Sequence, residues 1–101
     1  MPANELAEAA EADLKDIAFY TISKWSAKQA VRYGALLETH FDSIAGGQAK
    51  TKPFLRHRAD LRVSKVEHHY VFHLERDARC PLILAVFHES MDLMTRLRDR
   101  L

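Results

Sequence analysis

The chain holds one cysteine, Cys80. An intrachain disulfide is therefore impossible, and a cysteine-based zinc site is not expected. Three glycines and three prolines in 101 residues exclude a collagenous or low-complexity polymer. The longest uninterrupted apolar run, Pro81 to Phe87, falls far short of the ~20 residues that a membrane-spanning helix needs. No basic segment followed by an apolar one opens the sequence, so no secretory leader is expected. A glycine-rich phosphate loop, a GxSxG elbow and a carboxylate pair at a useful spacing are all missing. What remains is an ordinary globular composition, 48% hydrophobic. It suits one domain over residues 1–101 with one modest core, in a reducing compartment.

The formal net charge is +1, but it is unevenly spread. Residues 1–50 carry five Lys/Arg against seven Asp/Glu, and residues 51–101 carry ten against seven. In the basic half, Lys50, Lys52, Arg56, Arg58, Arg62 and Lys65 face only Asp60. Such a stretch is either a solvated basic loop and strand or a patch for an acidic partner or a phosphate backbone.

The first half carries helical periodicity. Ala10, Leu14, Ile17 and Thr21 lie on one face, widened by Ala18, Ile22 and Trp25. Ser26 and Gln29 form the pattern of a capping box for a second helix, whose apolar positions are Ala30, Tyr33, Leu37, Phe41 and Ile44. Gly46 and Gly47 supply its stop signal. So short a link makes the two helices an antiparallel hairpin, with Trp25 expected largely buried between hairpin and sheet. Phe19 stands off the main apolar stripe, as a singly exposed aromatic or an anchor for a partner segment.

The second half alternates as strands do. Leu61–Ser64, His69–Glu75 and the continuous apolar run Leu82–Phe87 predict an antiparallel meander, with Pro53 in the loop before it. Turns centred at 66–67 and 78–79 pair Ser64 with His69, Arg62 with Val71, and His69 with His88. Leu61, Val63, Tyr70, Phe72, Leu74, Ile83, Ala85 and Phe87 then share an apolar face, expected to pack on the hairpin. Arg62, Ser64, His69, Val71, His73, Leu84, Val86 and His88 fall on the other, expected to be open. Met91, Met94, Leu97 and Leu101 suggest a short C-terminal helix. The fold class is thus α+β, a helical hairpin on a small antiparallel sheet.

Six histidines invite a metal reading, but His69 and His73 on one strand are ~13 Å apart and cannot share an ion. No acidic or cysteine ligand is placed beside His69 and His88, so neither a metal nor a cofactor is expected. Arg62, His69, His73 and His88 on an open face either grip a phosphodiester and move its protons, or simply pack and hydrogen-bond.

Ala9-Ala10-Glu11-Ala12-Asp13-Leu14, Ile17, Tyr20-Thr21, Trp25-Ser26, Gln29-Ala30 and Tyr33 resemble the N-terminal half of ParE toxins, of the RelE/ParE superfamily of type II toxin–antitoxin modules. Leu61-Arg62, His69, Val71-Phe72 and Val86-Phe87-His88-Glu89-Ser90-Met91-Asp92 resemble its three-strand half and closing motif. The sequence departs from the family's pattern at Asp60, where glycine is usual, and at His73, where an aromatic is usual. It also departs at Phe19, a commonly polar position, and in the loop Gln48–Leu55.

The resemblance implies a β-α-α-β-β-β order and a cytoplasmic toxin without catalytic residues or cofactor. It implies a hetero-oligomer with a ParD-like antitoxin, a poisoning action on DNA gyrase, and no membrane or sequence-specific nucleic-acid binding. Under it, Phe19, Trp25, Arg56, Arg58 and Arg62 are expected to meet the antitoxin, and His69, His73, His88, Met91 and Asp92 the target. Two alternatives stay open: a RelE-type ribosome-dependent mRNA endonuclease using Arg62, His73 and His88, and an inactive scaffold that only binds its antitoxin.

Overall fold

A computed structural model describes residues 4–101. Residues 1–3 lie outside the described residues. The element order is β1 (Glu5–Leu6), α1 (Glu8–Lys24), α2 (Ala27–Ala45), β2 (Lys52–Leu55), β3 (Arg58–Val66), β4 (His69–Leu74), β5 (Leu82–His88) and α3 (Leu93–Arg98). The sheet has five strands in the order β1-β5-β4-β3-β2. It is mixed: β1 runs parallel to β5, and the other pairs are antiparallel.

The helical hairpin forms as its sequence signals dictate. Ser26 Oγ accepts from the Gln29 N–H at 3.0 Å and so caps α2. Gln48 N–H reaches Ser43 O and Gly47 N–H reaches Ile44 O, with Gly47 at φ +79°. This double closure needs a left-handed residue, which glycine supplies without strain.

The strand that sequence left as loop is β2. Proline lacks an N–H to donate, and an edge strand tolerates that loss; Pro53 sits in the outermost strand, opposite Arg62. The β3–β4 turn is Glu67–His68, with Glu67 at φ +52°. It lies one residue later than expected, so Ser64 pairs with Val71, Arg62 with His73 and His69 with Val66. A shift of one at the turn moves each partner by two, so side chains keep their faces. His69↔His88 and Val71↔Val86 pair as expected.

The layering reverses the expected one. The hairpin covers the face carrying the histidines: Ala10, Leu37, Phe41 and Ile44 pack on Val71, Ile83 and Val86. The more apolar face, with Leu61, Val63, Phe72, Ala85 and Phe87, is covered by Leu93 and Leu97 of α3, and β2 lends Phe54 and Leu55. The reason lies in α2, whose inner stripe is itself part polar. Tyr33 Oη bonds His69 Nδ1 at 2.6 Å and His40 Nε2 bonds Ser64 Oγ at 2.8 Å. Buried polar groups on the sheet need partners, and α2 holds them.

A bulge in β5 completes the arrangement. Phe72 pairs with Ala85 but His73 pairs with Ile83, so Leu84 is the extra residue. Ile83 therefore joins the hairpin side and Leu84 the α3 side, the reverse of strict alternation. The bulged backbone is capped by side chains. Asp13 Oδ2 accepts from the Val86 N–H at 3.0 Å, and Arg100 Nη1 donates to Leu84 O at 3.0 Å.

Candidate functional site

The tip of the hairpin overhangs one end of the sheet. Beneath it runs a groove of about 890 Å³, bounded by α1 and α2 and by the ends of β4 and β5. Asp16, Ile17, Tyr20, Thr21, Lys24 and Trp25 line it from α1 and the hairpin link. Gln29 and Tyr33 line it from α2, and His68, His69, His88, Ser90 and Met91 from the sheet end. Trp25 is not buried: it is 70% exposed. It occupies the two-residue link between the helices, with φ −121° and ψ −84°. A side chain at the turn of a hairpin that projects past the sheet has no second layer to enter.

The groove floor is a set of imidazoles. His69 is buried and packs edge-on against His88, with ring centroids 5.2 Å apart; His68 stacks beyond His88 at 6.4 Å. Burial holds the His69 pKa down to about 4, and the neighbouring His88 and His68 push in the same direction. His69 is thus neutral near pH 7 and fixed by Tyr33, whose own hydroxyl is raised by burial. His88 Nδ1 is engaged with Ser90, whose Oγ is 2.7 Å away. His68 Nδ1 and Lys65 Nζ hold Glu89 at 2.8 and 2.9 Å. Those hydrogen bonds, that from Lys65 first, hold the Glu89 carboxyl down to about 2. Among the described residues no group of three or more His, Cys, Asp or Glu is arranged to hold a metal ion.

The remaining residues singled out by sequence fall elsewhere. Phe19 is 76% exposed on α1, outside the groove lining. His73 is fully buried, not on an open face; its Nε2 meets Glu75 Oε1 at 3.0 Å and its Nδ1 has no partner. Asp92 accepts from the Thr95 N–H and caps α3. Arg58 is paired with Asp60 at 3.0 and 3.1 Å, and Arg62 donates to Thr51 Oγ1 and O. Arg56 lies in the β2–β3 turn. Sequence reasoning did not single out His68, Ser90 or Tyr33 as groove residues. A usable signal existed for Tyr33, which lies on the same helical stripe as Leu37, Phe41 and Ile44 and carries a hydroxyl into a buried layer.

The groove therefore joins residues that carry the family resemblance in the sequence: Tyr20-Thr21, Trp25, Gln29, Tyr33, His69, His88 and Met91. Residues 5–93 match the family described as "ParE toxin of type II toxin-antitoxin system, parDE". The chain belongs to the ParE toxin family. It is 46% identical over 101 residues to "Toxin ParE" of Escherichia coli, an alignment covering all of this chain and 98% of that protein. The solved structure described as "Chromosomal ParDE TA system from P. aeruginosa" superposes with a TM-score of 0.70. It covers 84% of this chain and 92% of that one at 12% identity, a likeness of fold. Among the described residues no helix is long and apolar enough to cross a membrane.

Proposed function

We propose that this ParE-family chain is the growth-inhibiting toxin of a two-gene module, held inactive by a ParD-like antitoxin in the cytoplasm. Its target is DNA gyrase, which it poisons by binding and not by catalysis. The observation that carries the reading is the groove under the hairpin tip, where exposed Trp25 and Tyr20 overhang neutral, hydrogen-bonded His69. An apolar, aromatic-walled groove suits an extended or helical segment that folds as it binds. Trp25, His69, His88 and Met91 line that groove; Phe19 stands on the exposed part of the same hairpin.

The geometry weighs against an mRNA-cleaving reading. Arg62 and His73 are cross-strand partners, but Arg62 is tied to Thr51, His73 is fully buried against Glu75, and of the three His88 alone lines the groove. Acid–base chemistry needs each group within hydrogen-bond reach of the proton it moves, and fully buried His73 offers no nitrogen to a substrate on the surface.

Purified protein is expected to inhibit gyrase supercoiling and leave ribosome-bound mRNA intact, and coexpression with the neighbouring antitoxin frame to restore growth. His88→Gln keeps size and hydrogen bonding, and should leave toxicity within a few-fold, where loss of a general acid or base costs about 10²–10⁴ in rate. Codon-specific mRNA cuts abolished by His88→Gln would replace the gyrase reading with the endonuclease one. A protein that binds antitoxin but neither slows growth nor inhibits gyrase would be the inactive scaffold.

A further inference from the structure

The fold sorts the cations of the basic stretch from Lys50 to Lys65 into side chains that are held in place and side chains that are free. Arg58 is held by Asp60, Arg62 by Thr51, and Lys65 by Glu89. Lys50, Lys52 and Arg56 are exposed and make no ion pair among the described residues. They sit together on the outermost strand, β2, its lead-in and its turn into β3. The nearby carboxylate, Asp60, is already neutralised by both arms of Arg58.

Two features decide what such an edge can hold. The first is composition. The exposed large apolar side chains, Phe19, Tyr20, Ile22, Trp25, Val31, Leu36, Met91, Met94 and Leu101, lie on the hairpin and the C-terminal segment; none lies on β2 or β3. A protein interface needs an apolar or aromatic core, whereas a phosphate backbone is bound by cations alone. The second is position. No residue of β2 or β3 lines the groove; the Arg56–His57 turn is eight residues or ~26 Å along β3 from its Val66 end, and Lys52, opposite Val63, is three residues or ~10 Å from it. A segment seated in the groove leaves this edge uncovered.

We propose that the β2 edge, through Lys50, Lys52 and Arg56, binds the phosphate backbone of double-stranded DNA without sequence preference. The surface is separate from the groove, so this proposal and the antitoxin and gyrase readings fail or stand independently. The interaction is electrostatic: each phosphate neutralised releases a counterion, and affinity falls with salt.

The test is fluorescence anisotropy of a labelled mixed-sequence duplex titrated with purified protein across a salt series. Binding is expected at low salt with a Kd of about 10⁻⁶–10⁻⁴ M and a log–log salt slope of about −2.7, as three phosphate contacts give. The K50A/K52A/R56A variant should bind at least ~10-fold more weakly at low salt and lose most of that slope. Circular dichroism and melting establish that it is folded. K28A/R32A, on the first turns of α2, removes two exposed cations elsewhere and should bind as the parent does. Absence of binding at low salt, or equal losses in both variants, overturns the proposal. So does a labelled polyglutamate peptide that binds through the same three residues while the duplex does not, which assigns the edge to an acidic protein segment.

Discussion

Arg100 closes on Asp13 across 87 residues of sequence, with both guanidinium arms on the carboxylate at 2.7 and 2.9 Å. The pair is mostly shielded from solvent, and each partner also caps the β5 bulge, at Leu84 O and Val86 N–H. Arg100 lies over the Phe87 ring as well, 4.9 Å from its centroid. One contact thus ties the C-terminal segment, α1 and β5 together. Arg100→Ala leaves a partly buried carboxylate and an uncapped carbonyl, and should cost ~2–4 kcal/mol in urea unfolding. Adding Asp13→Asn should recover part of that loss, a coupling that a double-mutant cycle reads.

Trp25→Ala separates stability from recognition. The side chain is 70% exposed, so its loss should change unfolding free energy by less than ~1 kcal/mol. If Trp25 anchors the antitoxin, the same change should weaken the complex by ~2 kcal/mol or more, measured by calorimetric titration. A large loss of stability instead would place the indole in the core.

The glycines of α2 should respond in opposite directions. A Cβ at Gly34, inside the helix, meets nothing within 4 Å, so Gly34→Ala should stabilise by ~0.5–1 kcal/mol. Gly47 closes the helix at φ +79°, and Gly47→Ala should destabilise by ~1 kcal/mol. Thermal melts of both variants decide the matter.

Acid should loosen the hairpin from the sheet before it titrates the exposed carboxylates. His69 is held neutral to about 4, against an ordinary value of 6.5. Between those values the unfolded chain takes up a proton that the folded chain refuses, so stability falls as pH drops from about 6.5 to about 4. His40, lowered by burial and by His73, acts in the same direction. Glu5, Asp60, Glu89 and Asp92, all lowered by hydrogen bonds, lose their contributions only below their own unfolded values of about 4.5 and 3.8. His69 alone should contribute a loss of ~3 kcal/mol across its window. In His69→Gln, denaturant midpoints should be flatter between pH 6.5 and 4.5 than in the parent.

Local signals settled much of the molecule. Ser26, Gly47 and the apolar stripe of α2 determine the hairpin without any long-range contact, because caps and periodicity act within a few residues. The continuous run Leu82–Phe87 marked the strand buried on both faces, as β5 is. The His69↔His88 pairing and the ordered landmarks of the ParE family were also legible in the chain itself.

What the sequence left open was which layer lies on which face. Both faces of the sheet carry enough apolar residues to bury, so counting them puts the hairpin on the wrong one. Tertiary structure decided it, because Tyr33 and His40 of α2 can satisfy His69 and Ser64 where a purely apolar layer cannot. The bulge at Leu84 is equally non-local: it persists because Asp13 and Arg100, from opposite ends of the chain, supply the bonds its backbone lacks. Trp25 reads as core from its periodicity, yet it stands in solvent, because the hairpin extends beyond the sheet that would have covered it. Periodicity specifies a direction around a helix; only the assembled layers specify whether anything is there to meet it.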